Sequence, residues 1–383
     1  MNQKKLNVLM LCKSLPWNFK GGIQTHTWDL SRELQERGHN ISILCAGSLF
    51  KSQRFVKEGI EIIELPYLPG RYIFPFSKLA EELLFNLSLK FWVNKNAQKY
   101  DIVHMQGRSG YLLNQASGKT RYVQTIHGLL KDELQHSDNG KWGSKLYKLV
   151  SLPLERRQIA LANKVLTVNE QLKNFISQEK IKPPKHIKVI PNGIKIGSPN
   201  KVASKTKKLV FVGRLTKIKN IEFLISLMTS LPWDITLSII GEGPLKKKLE
   251  QEVQRRCLKL RVSFRGALSR REIDKELNNS MALILPSFHE TQGIVLMEAA
   301  SNSIPSIASN LPATRECVID GETGFLCNVN DRSAFRRAIL KLYNEPSKIK
   351  SMGRMARKHV MQKYDWSQLS EETAKVYAET LKK

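Results

Sequence analysis

The chain has 383 residues, too long for one compact α/β unit and comfortable for two domains of ordinary size. Apolar residues make up 41% and charged residues 25%, which excludes a disordered chain. Lys and Arg outnumber Asp and Glu by 62 to 34, a net charge of +28 spread over both halves, so the surface attracts anions or is simply basic throughout.

Residues 8–12 form a short apolar run, as expected of a strand covered on both faces. The run is too short for a secretory leader or a membrane span. A loop follows and ends in Gly21-Gly22. A helix is predicted over Ile23–Arg37, stopped by Gly38, and a strand over Ile41–Cys45, which makes a βαβ unit. The alternation continues with a strand at Gly59–Leu65 and a helix at Phe76–Val93. Strands follow at Asp101–Met105 and Tyr122–Ile126, then a helix at Leu152–Ala162. A strand at Lys164–Val168, a helix at Glu170–Glu179 and a strand at Lys188–Ile190 close the half.

Pro191-Asn192-Gly193 is a turn signal, and a Lys-, Ser- and Pro-containing linker is placed over 194–207. A second series starts at Lys208, with strands at Leu209–Val212, Ile235–Ile240, Val262–Gly266, Met281–Leu285 and Ser306–Ala308. Helices alternate with them at Ile221–Leu231, Leu245–Arg256, Arg270–Asn279 and Gly293–Ser301. Further helices are predicted at Ser333–Tyr343, Lys348–Lys363 and Ser367–Lys382. Two such series read as two doubly wound parallel sheets, with ligands at the carboxyl ends of the strands. The domains are therefore expected at 1–193 and 208–365, with 366–383 as a separate last helix.

Four stations lie where strands end. Gly21-Gly22 lets backbone approach a ligand at a helix start, although taken alone it reads first as a tight turn. Gly213-Arg214 with Lys219 puts two cations on one strand–helix loop, which suits a diphosphate as well as it suits two solvated charges. Gly241-Glu242-Gly243 permits a sharp exit from a strand and is weak evidence for a ligand by itself. The most informative station is Pro286 to Ala299. Glu290 follows the strand, a helix opens near Gly293, and Glu298 lies within it among apolar neighbours. A helix start offers N–H groups to phosphate, and carboxylates accept from sugar and ribose hydroxyls. The histidines are less telling: His26 and His39 read as structural, and His104 either faces a ligand or caps the core.

At these residues the chain resembles the retaining glycosyltransferases of the GT-B fold known as family 4. The carrying motifs include Gly21-Gly22, Thr125-Ile126-His127, Val189-Ile190-Pro191-Asn192-Gly193 and Val212-Gly213-Arg214-Leu215 with Lys219-Asn220. Ile240-Gly241-Glu242-Gly243-Pro244, the Glu290–Glu298 pair and Asp320-Gly321-Glu322-Thr323-Gly324-Phe325 follow in family order. The resemblance implies two Rossmann-like domains facing across a cleft, with the C-terminal helix crossing back to the first. It implies a donor diphosphate gripped by Arg214 and Lys219, and ribose bound by Glu298. Glu290 would hold sugar hydroxyls, with backbone N–H groups at Gln292, Gly293, Ile294 and Val295 assisting. His127 would lie near the reacting sugar, and Gly21, Gly22, Gly213, Gly241 and Gly243 would bring backbone to the donor. It implies no protein nucleophile and no metal or other cofactor. The sequence departs from the family at Thr291-Gln292-Gly293, at Ser303 where many members carry Gly, and near Pro312–Arg315; these residues border the expected sugar pocket.

The function expected is transfer of a sugar from a nucleoside-diphosphate sugar to a glycan or lipid-linked acceptor in cell-surface polysaccharide or glycolipid synthesis. A noncatalytic coat or assembly protein of the same fold and a nucleotide-sugar epimerase are the alternatives. Five cysteines without a C-x-x-C pair suggest a reduced, cytoplasmic protein without a zinc site. Nucleic acid is not expected, because no zinc-finger spacing, RNP pattern or long basic helix occurs. The apolar-basic stretch Phe74–Lys95 suggests peripheral contact with an anionic membrane through the first domain, and a buried amphipathic helix explains it nearly as well.

Overall fold

The computed structural model describes residues 5–19, 21–48, 52–68, 77–131, 142–196 and 206–382. The chain divides into two compact units, one of residues 1–193 with 366–383, the other of residues 194–365.

Unit 1 holds an eight-stranded sheet in the order β3-β4-β2-β1-β5-β6-β7-β8. The strands are β1 (Asn7–Leu11), β2 (Asn40–Ala46), β3 (Gln53–Lys57), β4 (Ile60–Leu65), β5 (Ile102–Gln106), β6 (Arg121–Ile126), β7 (Lys164–Thr167) and β8 (Ile187–Val189). All neighbours are parallel except β3 and β4. β3 was not legible in the sequence, because each of its five residues is exposed and no apolar alternation marks it. Glu58 and Gly59, both with positive φ, turn it into β4.

The helices of unit 1 are α1 (Gly22–Glu36), α2 (Ser77–Asn96), α3 (Trp142–Leu161) and α4 (Glu170–Gln178). α3 begins ten residues before the predicted start, carrying Pro153 inside it. The last helix of the chain, α12 (Trp366–Leu381), belongs to this unit and packs on α1. Trp366, Leu369 and Tyr377 join Leu30, Leu34 and Met10 in one core. Arg37 extends the contact, with Nε donating to Ser370 Oγ at 2.8 Å.

Unit 2 holds a six-stranded, wholly parallel sheet in the order β11-β10-β9-β12-β13-β14. The strands are β9 (Lys208–Val212), β10 (Thr236–Ile240), β11 (Val262–Gly266), β12 (Ala282–Leu285), β13 (Ser306–Ser309) and β14 (Gly324–Cys327). The helices are α5 (Ile221–Met228), α6 (Lys246–Arg255), α7 (Arg270–Asn278), α8 (Ile294–Ser301), α9 (Pro312–Cys317), α10 (Arg332–Asn344) and α11 (Pro346–Tyr364). Phe211, Ile239, Leu283 and Ile307 are fully buried, as strands flanked by helices on both faces require. The strand order reverses between β9 and β12. Connections leave in opposite directions there and open a crevice at the carboxyl ends of those two strands. Of the predicted linker, residues 197–205 lie outside the described residues.

Candidate active site

The crevice of unit 2 is built from the loops after β9 and β12, and the cations and the first carboxylate singled out in the sequence stand on them. β9 gives way to Gly213, whose N–H donates to Ile240 O at 3.0 Å, and Leu215 N–H donates to Glu242 O at 3.0 Å. These bonds press the loop after β10 against the loop after β9. A Cβ on Gly241 would lie 2.0 Å from Gly213 O, and one on Gly243 would lie 2.4 Å from Leu215 O. The Gly-x-Gly pattern is thus demanded by backbone packing that holds Arg214 in place. Arg214 itself is exposed, with no partner for its guanidinium among the described residues.

A short 3₁₀ turn, Lys217–Lys219, brings Lys219 back toward β12 and ends in Asn220, whose φ is 54°. Asn220 Nδ2 donates to Pro286 O at 3.2 Å, and Phe288 N–H donates to Ile218 O at 2.8 Å, so the two loops are stitched together. Lys219 Nζ then lies 2.6 Å from Glu290 Oε1, which also accepts from Ser287 Oγ at 2.7 Å. Both partners are largely buried, at 21% and 9% exposure. Ser287 was not anticipated as a site residue; its only signal is a position three before Glu290.

α8 is capped by Gly293, whose φ of 72° sets the helix entry. The first-turn N–H groups of Ile294 and Val295 have no intrahelical acceptor, as at any helix start. Gln292 is buried, its Nε2 facing Met297 Sδ and its carbonyl accepting from Cys317 Sγ. What it offers a ligand is therefore backbone. Glu298 is not on a solvated face: it pairs with Arg270 at the start of α7. Arg270 Nε also lies 3.3 Å from Asp274 Oδ1, and Asn302 Nδ2 bridges Asp274 Oδ1 at 2.8 Å and Glu298 O at 2.9 Å. The Ser269–Glu272 capping box fixes where α7 begins. Nothing in the sequence pairs Arg270 with a residue 28 positions on.

In unit 1, Gly21 caps α1 in an extended conformation, and Gly22 opens the helix. His104 is wholly buried, with Nδ1 2.6 Å from Tyr377 Oη and Nε2 2.7 Å from Thr125 Oγ1, so it belongs to the core. His127 follows β6 and is 9% exposed, with Nε2 2.9 Å from Gln106 Oε1 and Nδ1 buried. Its ring meets that of His26 at 4.6 Å between centroids, and His26 meets Trp366 at 5.2 Å. The His127 ring thus packs against His26 within unit 1. Burial pushes His104 down to about 3 and His127 to about 4. It also pushes His26 well below the ordinary histidine value, helped by the two other imidazoles.

Among the described residues, no three His, Cys, Asp or Glu side chains converge on a metal-sized point, and no helix is long and apolar enough to cross a membrane. All five cysteines are free.

Residues 20–197 match the family described as Glycosyltransferase Family 4, and residues 195–359 match Glycosyl transferases group 1. The chain belongs to the group 1 glycosyltransferases, enzymes acting on nucleotide sugars or related donors. It is similar to the glycogen synthase of Mycobacterium tuberculosis, 25% identical across 97% of this chain and 94% of that one. Its fold is that of sucrose-phosphate synthase from Thermosynechococcus elongatus, with a TM-score of 0.81 over 98% of this chain and 99% of that one at 19% identity. HepE from Anabaena, solved with UDP-glucose, gives a TM-score of 0.75 over 98% and 100% at 18% identity. The chain shares the GT-B architecture of that sucrose-phosphate synthase.

Proposed function

We propose that this enzyme moves a sugar from a nucleoside-diphosphate sugar to a glycan or lipid-linked acceptor, with retention at the anomeric carbon, in cell-surface polysaccharide or glycolipid synthesis. The observation that carries the reading is the placing of Arg214, Lys219 and Glu290 on the two loops of the unit 2 switch point. Arg214 and Lys219 grip the diphosphate and neutralise charge as the bond from the anomeric carbon to phosphate oxygen breaks. The N–H groups at the start of α8 face the same charge. Glu290 passes from Lys219 to hydroxyls of the donor sugar, and Glu298 accepts from the ribose. The acceptor oxygen bonds to the anomeric carbon on the face the phosphate leaves, and its proton goes to the departing phosphate oxygen. No step calls for a protein nucleophile, metal or cofactor. Unit 1 takes the acceptor, while Gly21 and Gly22 at the start of α1 bring backbone to the donor and His127, after β6, lies near the reacting sugar.

The exposed Leu84, Leu87 and Phe91, three and four residues apart on α2, support peripheral contact of unit 1 with an anionic membrane at its cytoplasmic face. Residues 74–76 of that stretch lie outside the described residues.

The test is a panel of UDP-, GDP- and ADP-sugars assayed for slow hydrolysis, followed by product stereochemistry with the donor that turns over. Loss of turnover in both Arg214→Ala and Glu290→Gln supports the reading. Turnover that survives Arg214→Ala, or a product of inverted configuration, removes it. A coat or assembly protein would hydrolyse none of the donors.

A further inference from the structure

Apolar side chains exposed singly need no explanation, but two on unit 2 stand together. Trp233 is 83% exposed and Leu260 is 97% exposed. Trp233 lies in the turn between α5 and β10, and Leu260 in the turn between α6 and β11. β10 and β11 are parallel neighbours with Leu237 opposite Val262, so both turns emerge at the same, amino-terminal edge of the sheet. That edge is opposite the one bearing Arg214, Lys219 and Glu290.

One side chain ties the turns together. Arg261, next to Leu260, donates from Nε to Ile235 O at 3.1 Å and from Nη2 to Pro232 O at 2.8 Å and Leu231 O at 3.3 Å. Leu237 N–H donates to Arg261 O at 2.8 Å, and Ile235 N–H to Pro232 O at 3.1 Å. Each turn also buries a leucine, Leu231 at 6% and Leu258 at 4% exposure. The turns are thus anchored from below, and the two outward side chains contribute nothing to that anchoring.

The surroundings are cationic. Residues 255–261 read Arg-Arg-Cys-Leu-Lys-Leu-Arg, four cations in seven residues without an acid. Arg255 and Arg256 share Glu252, and Lys207 pairs with Asp234. Lys259 is exposed and has no acidic partner among the described residues, and the Arg261 guanidinium rests on carbonyls.

We propose that this tip docks unit 2 on an anionic lipid surface, with Leu260 entering the acyl boundary, Trp233 lying at head-group level and Lys259 on lipid phosphates. An indole on a rigid turn suits the interface, where one end meets hydrocarbon and the other water. Two side chains offer roughly 300–400 Å² of contact, far below what a stable protein pair buries, while a bilayer needs no such area. The cations supply attraction that salt screens.

The experiment is sedimentation of the full chain with vesicles of phosphatidylcholine alone or mixed with phosphatidylglycerol. Both variant positions are exposed, so Trp233→Ser with Leu260→Ser leaves the fold and donor hydrolysis intact. The pair lowers partitioning onto anionic vesicles at least about tenfold. Lys259→Gln lowers it roughly fivefold, and high salt does the same to the unchanged chain. Phe91→Ser on α2 serves as the comparison. Any of four results overturns the proposal: no binding of the unchanged chain, equal binding to phosphatidylcholine alone, unaltered binding of the double variant, or loss confined to Phe91→Ser. A concentration-dependent dimer abolished by the double variant would instead assign the tip to a second copy. Donor hydrolysis, read on the same samples, reports separately on the proposed transfer.

Discussion

Lys219 Nζ and Glu290 Oε1 stand 2.6 Å apart, each the nearest opposite charge to the other on the loops of the unit 2 switch point. In the proposed reaction both groups serve the donor, so the free enzyme neutralises its own phosphate cation. A diphosphate must compete with Glu290 for Lys219. Glu290→Gln should therefore bind a nucleoside diphosphate as tightly as the unchanged enzyme, or up to about tenfold more tightly, while transfer falls by ~10²-fold or more. Lys219→Ala should lose both. Calorimetric titration beside turnover gives the two signs; weaker diphosphate binding by Glu290→Gln would count against the competition.

Arg270 and Glu298 form the second such pair. With Arg270 fixed between Glu298 and Asp274, the carboxylate that the proposed reaction gives to ribose is held in place. Arg270→Ala should cost the affinity of a ribonucleoside diphosphate about 1.5–3 kcal/mol, the worth of a hydrogen bond to a charged group. It should cost the 2′,3′-dideoxy analogue much less. Equal losses for both ligands would place the effect outside the ribose contact.

Ser303 holds a φ of 60°, at the position where the family resemblance leads one to expect glycine. Its carbonyl also lies hard against α11, since a Cβ on Gly353 would lie 1.9 Å from Ser303 O. Ser303→Gly relieves a left-handed side chain and should stabilise unit 2 by up to about 1 kcal/mol, raising its Tm by roughly 2–4 °C. Gly353→Ala should destabilise it by more than that, because backbone has to move. Differential scanning calorimetry checks both signs.

His26, His104 and His127 are kept neutral by burial, with His104 at about 3 and His127 at about 4. Unfolded, each titrates near 6.5. Above that pH both states are neutral, and the cluster adds no pH dependence. Below it the unfolded chain takes protons that the folded one refuses. Stability then falls by about 1.4 kcal/mol per pH unit for each imidazole until its folded value is reached. Guanidinium unfolding at about pH 5 should thus show unit 1 less stable than at about pH 7.5 by ~2 kcal/mol for each of His104 and His127, with His26 acting in the same direction. A variant with His104→Asn should lose the His104 share of that slope. A flat profile between the two pH values would mean that the cluster carries protons when folded.

Much of this was legible in the sequence. Strands such as β9 and β12 are covered on both faces, so Leu209 to Val212 and Ala282 to Leu285 stand out as apolar runs. The residues at their carboxyl ends follow directly from the alternation. What stayed hidden depends on partners distant in sequence. The Lys219–Glu290 pair spans 71 residues and the Arg270–Glu298 pair 28, and no local pattern brings them together. β3 has no buried face to advertise, and Pro153 concealed the first half of α3. His104 has the same strand-end look as a ligand contact. Its partners Tyr377, 273 residues on, and Thr125 on the next strand show it to be core.

α12 gives the order of synthesis a consequence. Unit 1 begins the chain, yet Trp366 and Tyr377 are among its core residues. As the chain leaves the ribosome, the whole of unit 2 emerges before unit 1 receives the helix that seals it. Until then the surfaces of Leu30 and Leu34 against which α12 packs stay open to water and to chaperones. The second unit in sequence is thus free to mature first, and a polypeptide cut short near residue 365 would leave the first one permanently unfinished.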